Sequence, residues 1–413
     1  MLRKLVIGLL GALLLGTVVM AANEPVTIDF WHAMGSKYQP FLQTLADGFM
    51  AENPGITVTL TYQGSYSALQ GKINAAVAAG NLPTMAQVYE NWITPLASIL
   101  YPIGLHMTML EVGDIIDGLV PSNTFNGVLT TVPFNKSIMV LYYNKDLIPT
   151  PPTTWAEFYD LSKSLTVDID GDGTIDRYGT ALRPAANPEQ FLTFLDQAGG
   201  SILNADWTAV TINNIEGMGA IQFCGSLIPY TFITSDYLSD HMGQVAMFID
   251  TSAGYSYNRD AAANLQAPYT PYAIGVAMLP AGPVHQSSMI QGTNLAVFDV
   301  ANQTQAQKDA AVLFARYLLR AENTVYWAMN SGYQPVTKSA YATQTWIDFV
   351  ATHPYQQAMS AQMLLGFSQI LHPNYGDMRT ILSTKFDEIM RSAVSPLDGL
   401  NGMAEEIAPM LTE

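Results

Sequence analysis

The chain has 413 residues and a formal net charge of −17, from 34 acidic against 17 basic side chains. Such a balance repels polyanions and excludes nucleic acid and anionic lipid surfaces as partners. Charged residues are only 12% of the chain while 49% are hydrophobic and 10% aromatic, which excludes an acidic disordered protein and suits two packed lobes of roughly 200 residues each.

The chain opens on an export leader: Arg3 and Lys4 precede an apolar run from Leu5 to Val19, and Val19-Met20-Ala21 offers a small-residue cleavage site. Residues 1–21 are expected to be removed as a signal peptide. The apolar run is about 15 residues, short of the ~20 that a bilayer span requires. No cysteine follows it to carry a lipid anchor, so the expected location is extracytoplasmic or periplasmic, and soluble. Cys224, the one cysteine, has no thiol partner and reads as a small buried hydrophobe.

Val26 to Phe30 alternates apolar with polar residues like a strand, and Tyr38, Phe41, Leu42, Leu45 and Phe49 follow at helical spacing until Asn53-Pro54-Gly55 stops the helix. Ile56 to Leu60 is a second strand. Ser67 to Ala79 is a second helix with Leu69, Ile73 and Val77 on one face, and Met85 to Tyr89 a third strand. Alternating strands and helices imply an α/β sheet. Val132 to Tyr143 is an apolar strand interrupted by Asn135-Lys136-Ser137, as expected of a strand crossing between lobes. Thr154 caps a helix that opens at Trp155.

Asp168, Asp170, Asp172 and Asp176 then stand at positions one, three, five and nine of a loop with Gly173 at six. Calcium favours that oxygen spacing, yet Gly179 occupies position twelve, where a bidentate glutamate is usual. The loop therefore reads either as a structural calcium site or as a solvated aspartate-glycine turn. No other cofactor is required. Gln244 to Ile249 and Ile274 to Pro280 are further strands. Gln305 to Asn330 is helical, with Ala311, Leu313, Phe314, Tyr317 and Leu318 inward. Arg379 opens a helix whose apolar stripe includes Leu382 and Phe386, so it points toward the protein. A cation at a helix start opposes the helix dipole, and a bound anion would balance it; its five-donor head suits phosphate.

Six short segments carry a resemblance. They are Phe30-Trp31-His32-Ala33-Met34, Thr61 to Tyr66, Gln87-Val88-Tyr89-Glu90, Pro133 to Ser137, Leu141 to Asp146, and Gly332 to Lys338. In this order, across nearly the whole mature chain, they resemble the glycerol-3-phosphate-binding proteins of bacterial ABC importers. The resemblance implies a two-lobed periplasmic-binding-protein fold of type II, with discontinuous lobes joined by crossing hinge strands. The expected lobes are residues 22–132 plus 273–300 and residues 133–272 plus 301–413.

It also implies that Tyr66, Glu90, Ser137, Thr251, Gly292, Tyr333 and Arg379 line a ligand pocket. Arg379 would hold a phosphate, and Glu90, which repels it, would face ligand hydroxyls at the other end. The family often places a tryptophan over the ligand where this chain has Ala181-Leu182-Arg183-Pro184. That departure makes room for a larger head group, so the expected ligand is glycerol-3-phosphate or a glycerophosphodiester such as glycerophosphocholine. The expected partners are the membrane permease subunits, and the expected state is a monomer.

A sugar or oligosaccharide receptor is the alternative, supported by the many aromatic side chains. A secreted hydrolase is more distant: six scattered histidines form no H-E-x-x-H pair, and the chain has no G-x-S-x-G elbow. The protein is accordingly read as a binder, not an enzyme.

Overall fold

The computed structural model describes residues 24–411; the signal-peptide reading for residues 1–21 lies outside them. The first lobe starts with strand β1 (Val26–His32), helix α1 (Gln39–Glu52), strand β2 (Ile56–Tyr62), helix α2 (Tyr66–Ala79), strand β3 (Met85–Val88) and helix α3 (Glu90–Leu96). Both β2 and β3 lie parallel to β1, which is possible because a helix carries the chain back each time. Leu42, Leu45 and Phe49 of α1 are buried on this sheet. Ser65 caps α2 by accepting the Ala68 N–H, and Gly80 ends it in the left-handed conformation at φ 65°. Val77 is 40% exposed, contrary to its expected inward place. Ala76, one turn beyond Ile73, faces inward instead.

Strand β4 (Val132–Asn144) joins the lobes. Its alternation serves two clusters: Phe134, Ile138, Val140 and Tyr142 belong to the one that includes β1 and α1, with Tyr142 stacked on Phe248 at 5.2 Å, whereas Met139 and Leu141 enter the core of the second lobe. Helices α4 (Trp155–Leu165), α5 (Glu189–Gln197) and α6 (Ile215–Leu227) belong to that second core. Strands β5 (Met247–Thr251), β6 (Ile274–Ala277) and β7 (Ser288–Val297) complete the connection. β7 pairs antiparallel with the first half of β4 and with β3, while β5 and β6 pair antiparallel with its second half. Two long strands, β4 and β7, therefore run through both lobes. Cys224 on α6 is fully buried among apolar side chains.

The chain returns to the first lobe with helices α7 (Gln305–Leu318) and α8 (Ala321–Ser331). Phe314 lies 6.2 Å from Phe30 and 5.0 Å from Phe49 between ring centroids. Gln307 donates to the Thr27 carbonyl at 3.1 Å, and Arg320 pairs with Glu52 at 2.7 Å. Residues 305–331 thus pack on the first lobe, not on the second as the sequence reading assigned them. Leu313 is 36% exposed because Ala310, Phe314 and Tyr317 hold the inward stripe. A second reassignment runs the other way. The Ala281 N–H donates to the Thr153 carbonyl at 2.8 Å and the Val284 N–H to the Gln197 carbonyl at 3.0 Å, so residues 281–284 pack on the second lobe. Helices α9 (Tyr375–Met390) and α10 (Pro396–Ile407) close the second core with Leu382, Phe386, Leu400 and Met403. No described helix is long and apolar enough to cross a membrane.

Candidate ligand-binding cleft

Where α2 and α3 of the first lobe face the 183–190 segment and α9 of the second lies a cleft of about 560 Å³. Tyr66, Glu90, Thr251, Gly292 and Arg379 line it. Ser137 and Tyr333 stand one layer behind. The Thr251 hydroxyl donates to the Ser137 hydroxyl at 2.8 Å, and the Tyr333 phenol lies near enough to that of Tyr66 to raise its pKa. A larger surface groove of about 980 Å³ runs past Val26, Pro54 and Leu313 and includes none of the seven.

The charged side chains are paired across the fold. Lys136 on β4 is fully buried and forms an ion pair with Glu90, whose side chain is 4% exposed. Gln369 donates to the other Glu90 oxygen at 2.9 Å. Each Glu90 oxygen thus already has one protein donor, and the carboxylate still lines the cleft with acceptor capacity left over. Burial drives the Lys136 pKa down, and the Glu90 charge opposes that shift. Arg379 makes a forked bond to Glu189, Nε to Oε1 at 2.5 Å and Nη2 to Oε2 at 3.0 Å, with Nη2 also reaching the Ala186 carbonyl at 3.3 Å. Glu189 is therefore the anion that balances this cation near the start of α9. Nη1 of Arg379 has no hydrogen-bond partner among the described residues. Burial, then Tyr333, Glu90 and Glu189, raise the Tyr89 phenol pKa while Arg379 lowers it.

Asn135 ties the cleft floor together. Its Nδ2 donates to the Tyr66 hydroxyl at 2.9 Å, and its Oδ1 accepts from Gln87 at 3.2 Å and from Thr293. Opposite it, Gly292 has φ +115° at an irregularity in the β4–β7 pairing, and a Cβ there would stand 2.0 Å from the Asn135 carbonyl. Glycine is required by both torsion and space. Gly292→Ala is expected to lower stability by about 2–4 kcal/mol in urea titration; a loss below the error of extrapolation would contradict this geometry.

Several lining residues escaped the sequence reading. Glu189, Asp250, Tyr237, Gln369 and Tyr89 carry no local signal. Lys136 does, because a lysine inside an apolar strand of a lysine-poor chain demands a buried counterion. Arg183, within the Ala181–Pro184 segment, lines the cleft as well. Its guanidinium lies 5.0 Å from the Tyr237 ring centroid, and Nη2 donates to the Ser235 carbonyl at 3.1 Å.

The aspartate loop lies elsewhere, exposed. Asp168, Asp170 and Asp176 bring one oxygen each within 4.8 Å of one another; Asp172 is not in the group. Its Oδ1 accepts the Thr174 N–H at 2.7 Å, and both Asp168 oxygens accept N–H groups, from Gly171 at 2.7 Å and Gly173 at 2.8 Å. At position twelve a Cβ on Gly179 would lie 1.9 Å from the Ser162 carbonyl, so no glutamate fits. The loop thus lacks the bidentate side chain at position twelve, and both oxygens of Asp168 are already turned to backbone N–H groups. Excess chelator is therefore expected to leave Tm unchanged; a fall reversed by calcium would show that an ion holds the loop.

A cleft between two α/β lobes that share strands, lined by aromatic, amide and charged side chains with no histidine or cysteine, defines a protein that captures a ligand between its lobes. The chain belongs to the bacterial extracellular solute-binding proteins, whose family model matches residues 44–354. Such proteins are the extracytoplasmic receptors of ABC importers. The sn-glycerol-3-phosphate-binding periplasmic protein UgpB of Escherichia coli K12 is 26% identical over 434 aligned positions, covering 95% of this chain and 94% of its own. Among solved structures, the cyclic α-maltosyl-1,6-maltose binding protein of Arthrobacter globiformis superposes with a TM-score of 0.83 at 21% identity, covering 94% of this chain and 99% of its own. UgpB of Mycobacterium tuberculosis, solved with glycerophosphocholine, superposes with 0.76 at 19% identity, covering 94% and 98%. The fold is the two-lobed type II periplasmic-binding-protein fold.

Proposed function

We propose that the chain captures glycerol-3-phosphate or a glycerophosphodiester and hands it, as a monomer, to the membrane subunits of an ABC permease. The observation that carries this reading is Arg379, a cleft-lining guanidinium whose Nη1 has no protein hydrogen bond among the described residues and whose other nitrogens are held by Glu189. A guanidinium fixed in this way offers its remaining donors to a phosphate in the fork geometry that anion recognition uses. The long similarity to UgpB supports the same ligand class. The protein returns its ligand unchanged, which mass balance on incubated ligand checks.

A sugar or oligosaccharide is the second reading. Tyr66, Tyr89, Trp92 and Tyr237 line the cleft, and aromatic faces suit sugar rings. A thermal-shift screen on ligand-stripped protein separates the two, because a ligand at 100 times its Kd stabilises by about 2.7 kcal/mol. Glycerol-3-phosphate and a glycerophosphodiester are expected to raise Tm while maltose, trehalose and inorganic phosphate do not. A shift with maltose or trehalose alone would move the ligand class to sugars.

A further inference from the structure

Two cleft residues remain outside the phosphate reading. Arg183 is held in place by Tyr237 and the Ser235 carbonyl, yet its Nε is buried without a hydrogen-bond partner. A buried donor left unpaired is costly in a folded protein, and a cleft-lining one is satisfied when a bound ligand brings an acceptor. Asp250 ends strand β5, is 8% exposed and lines the same cleft. Its Oδ1 accepts only the N–H of the adjacent Thr251, at 2.8 Å. Burial raises the Asp250 pKa, and both the Thr251 N–H and the charge of Arg183 pull it back. Gln190 ties the two segments together, accepting the Arg183 N–H at 2.8 Å and donating to the Ile249 carbonyl at 2.8 Å, so Arg183 and Asp250 adjoin on one wall of the cleft.

A fixed donor beside a fixed acceptor matches a hydroxyl, which accepts from one and donates to the other. A quaternary ammonium group has neither function: it accepts nothing from Arg183 and donates nothing to Asp250. Phosphate is also disfavoured at this point, because Asp250 repels an anion. We infer that Arg183 and Asp250 form a hydroxyl-reading subsite that selects glycerophosphodiesters with a polyol head group, such as glycerol or inositol, over those with choline. This inference rests on the phosphodiester reading and narrows it. It assigns Arg183, on the wall of the cleft, to the choice of head group.

The test is isothermal titration calorimetry of the mature protein with two probes, glycerophosphoglycerol and glycerophosphocholine. The glycerol ester is expected to bind at least tenfold more tightly, and Arg183→Gln and Asp250→Asn are each expected to reduce that preference to threefold or less. If Asp250→Asn does not fold, Arg183→Gln, at a partly exposed position, still reads the preference. Equal affinity of the two probes for the unaltered protein, or a preference unmoved in the variants, overturns the subsite while leaving the phosphodiester reading intact. Binding of maltose with no binding of either diester overturns the phosphodiester reading and this inference with it.

Discussion

Lys136→Met is expected to destabilise the protein by about 3–5 kcal/mol, the cost of leaving one partner of a buried ion pair without the other. Lys136 is fully buried and the Glu90 side chain is 4% exposed. Once the ammonium is gone, only the Gln369 amide faces the carboxylate. Against a total stability of about 5–15 kcal/mol, that loss moves the urea midpoint far enough to measure easily. The double variant Lys136→Met with Glu90→Gln is expected to regain most of the loss, since the stranded charge goes with its partner. A single-variant loss under about 1 kcal/mol, the range of an exposed pair, would contradict a dry ion pair at this point. The pair also joins β4, which runs through both lobes, to the first residue of α3 on the cleft wall. Its removal should therefore loosen the cleft as well as lower stability.

The second large effect concerns ligand. Arg379→Ala is expected to weaken glycerol-3-phosphate binding by roughly 10²–10⁴-fold, the equivalent of two charge-assisted hydrogen bonds at about 1.5–3 kcal/mol each. Because that variant also strands Glu189, whose side chain is 8% exposed, its thermal melt has to be read beside its affinity. Glu189→Gln separates the two roles. Glutamate competes with phosphate for the guanidinium, so neutralising it is expected to tighten phosphate binding several-fold. Weaker binding in Glu189→Gln would mean instead that the carboxylate is needed to aim Arg379. Undiminished binding in Arg379→Ala, measured by calorimetry, would remove the phosphate contact altogether.

Much of the architecture was legible locally. The spacing of Leu42, Leu45 and Phe49 placed α1, the alternation from Val26 placed β1, and Leu382 with Phe386 turned Arg379 toward the protein before any contact was known. Five of the seven residues that the resemblance implied, Tyr66, Glu90, Thr251, Gly292 and Arg379, line one cleft. The errors have a common origin. Periodicity tells which face of a helix is buried but not what buries it, so α7 and α8 were assigned to the wrong lobe, and Val77 and Leu313, near the edges of their stripes, were turned inward.

Composition and local pattern, by themselves, determined an α/β chain of two lobes, a strand crossing between them with a polar interruption at Asn135-Lys136-Ser137, and an inward arginine on a late helix. Only the tertiary structure decided the partners. Glu189 reaches Arg379 across 190 positions of chain, Glu90 meets Lys136 across 46, and Gln369 meets Glu90 across 279. Torsional preference and side-chain spacing act within a few residues, whereas the pairing of buried charges depends on how strands register and lobes pack. Whether a carboxylate in this cleft is free to meet a ligand or already neutralised by the protein was therefore invisible until the fold brought the pairs together.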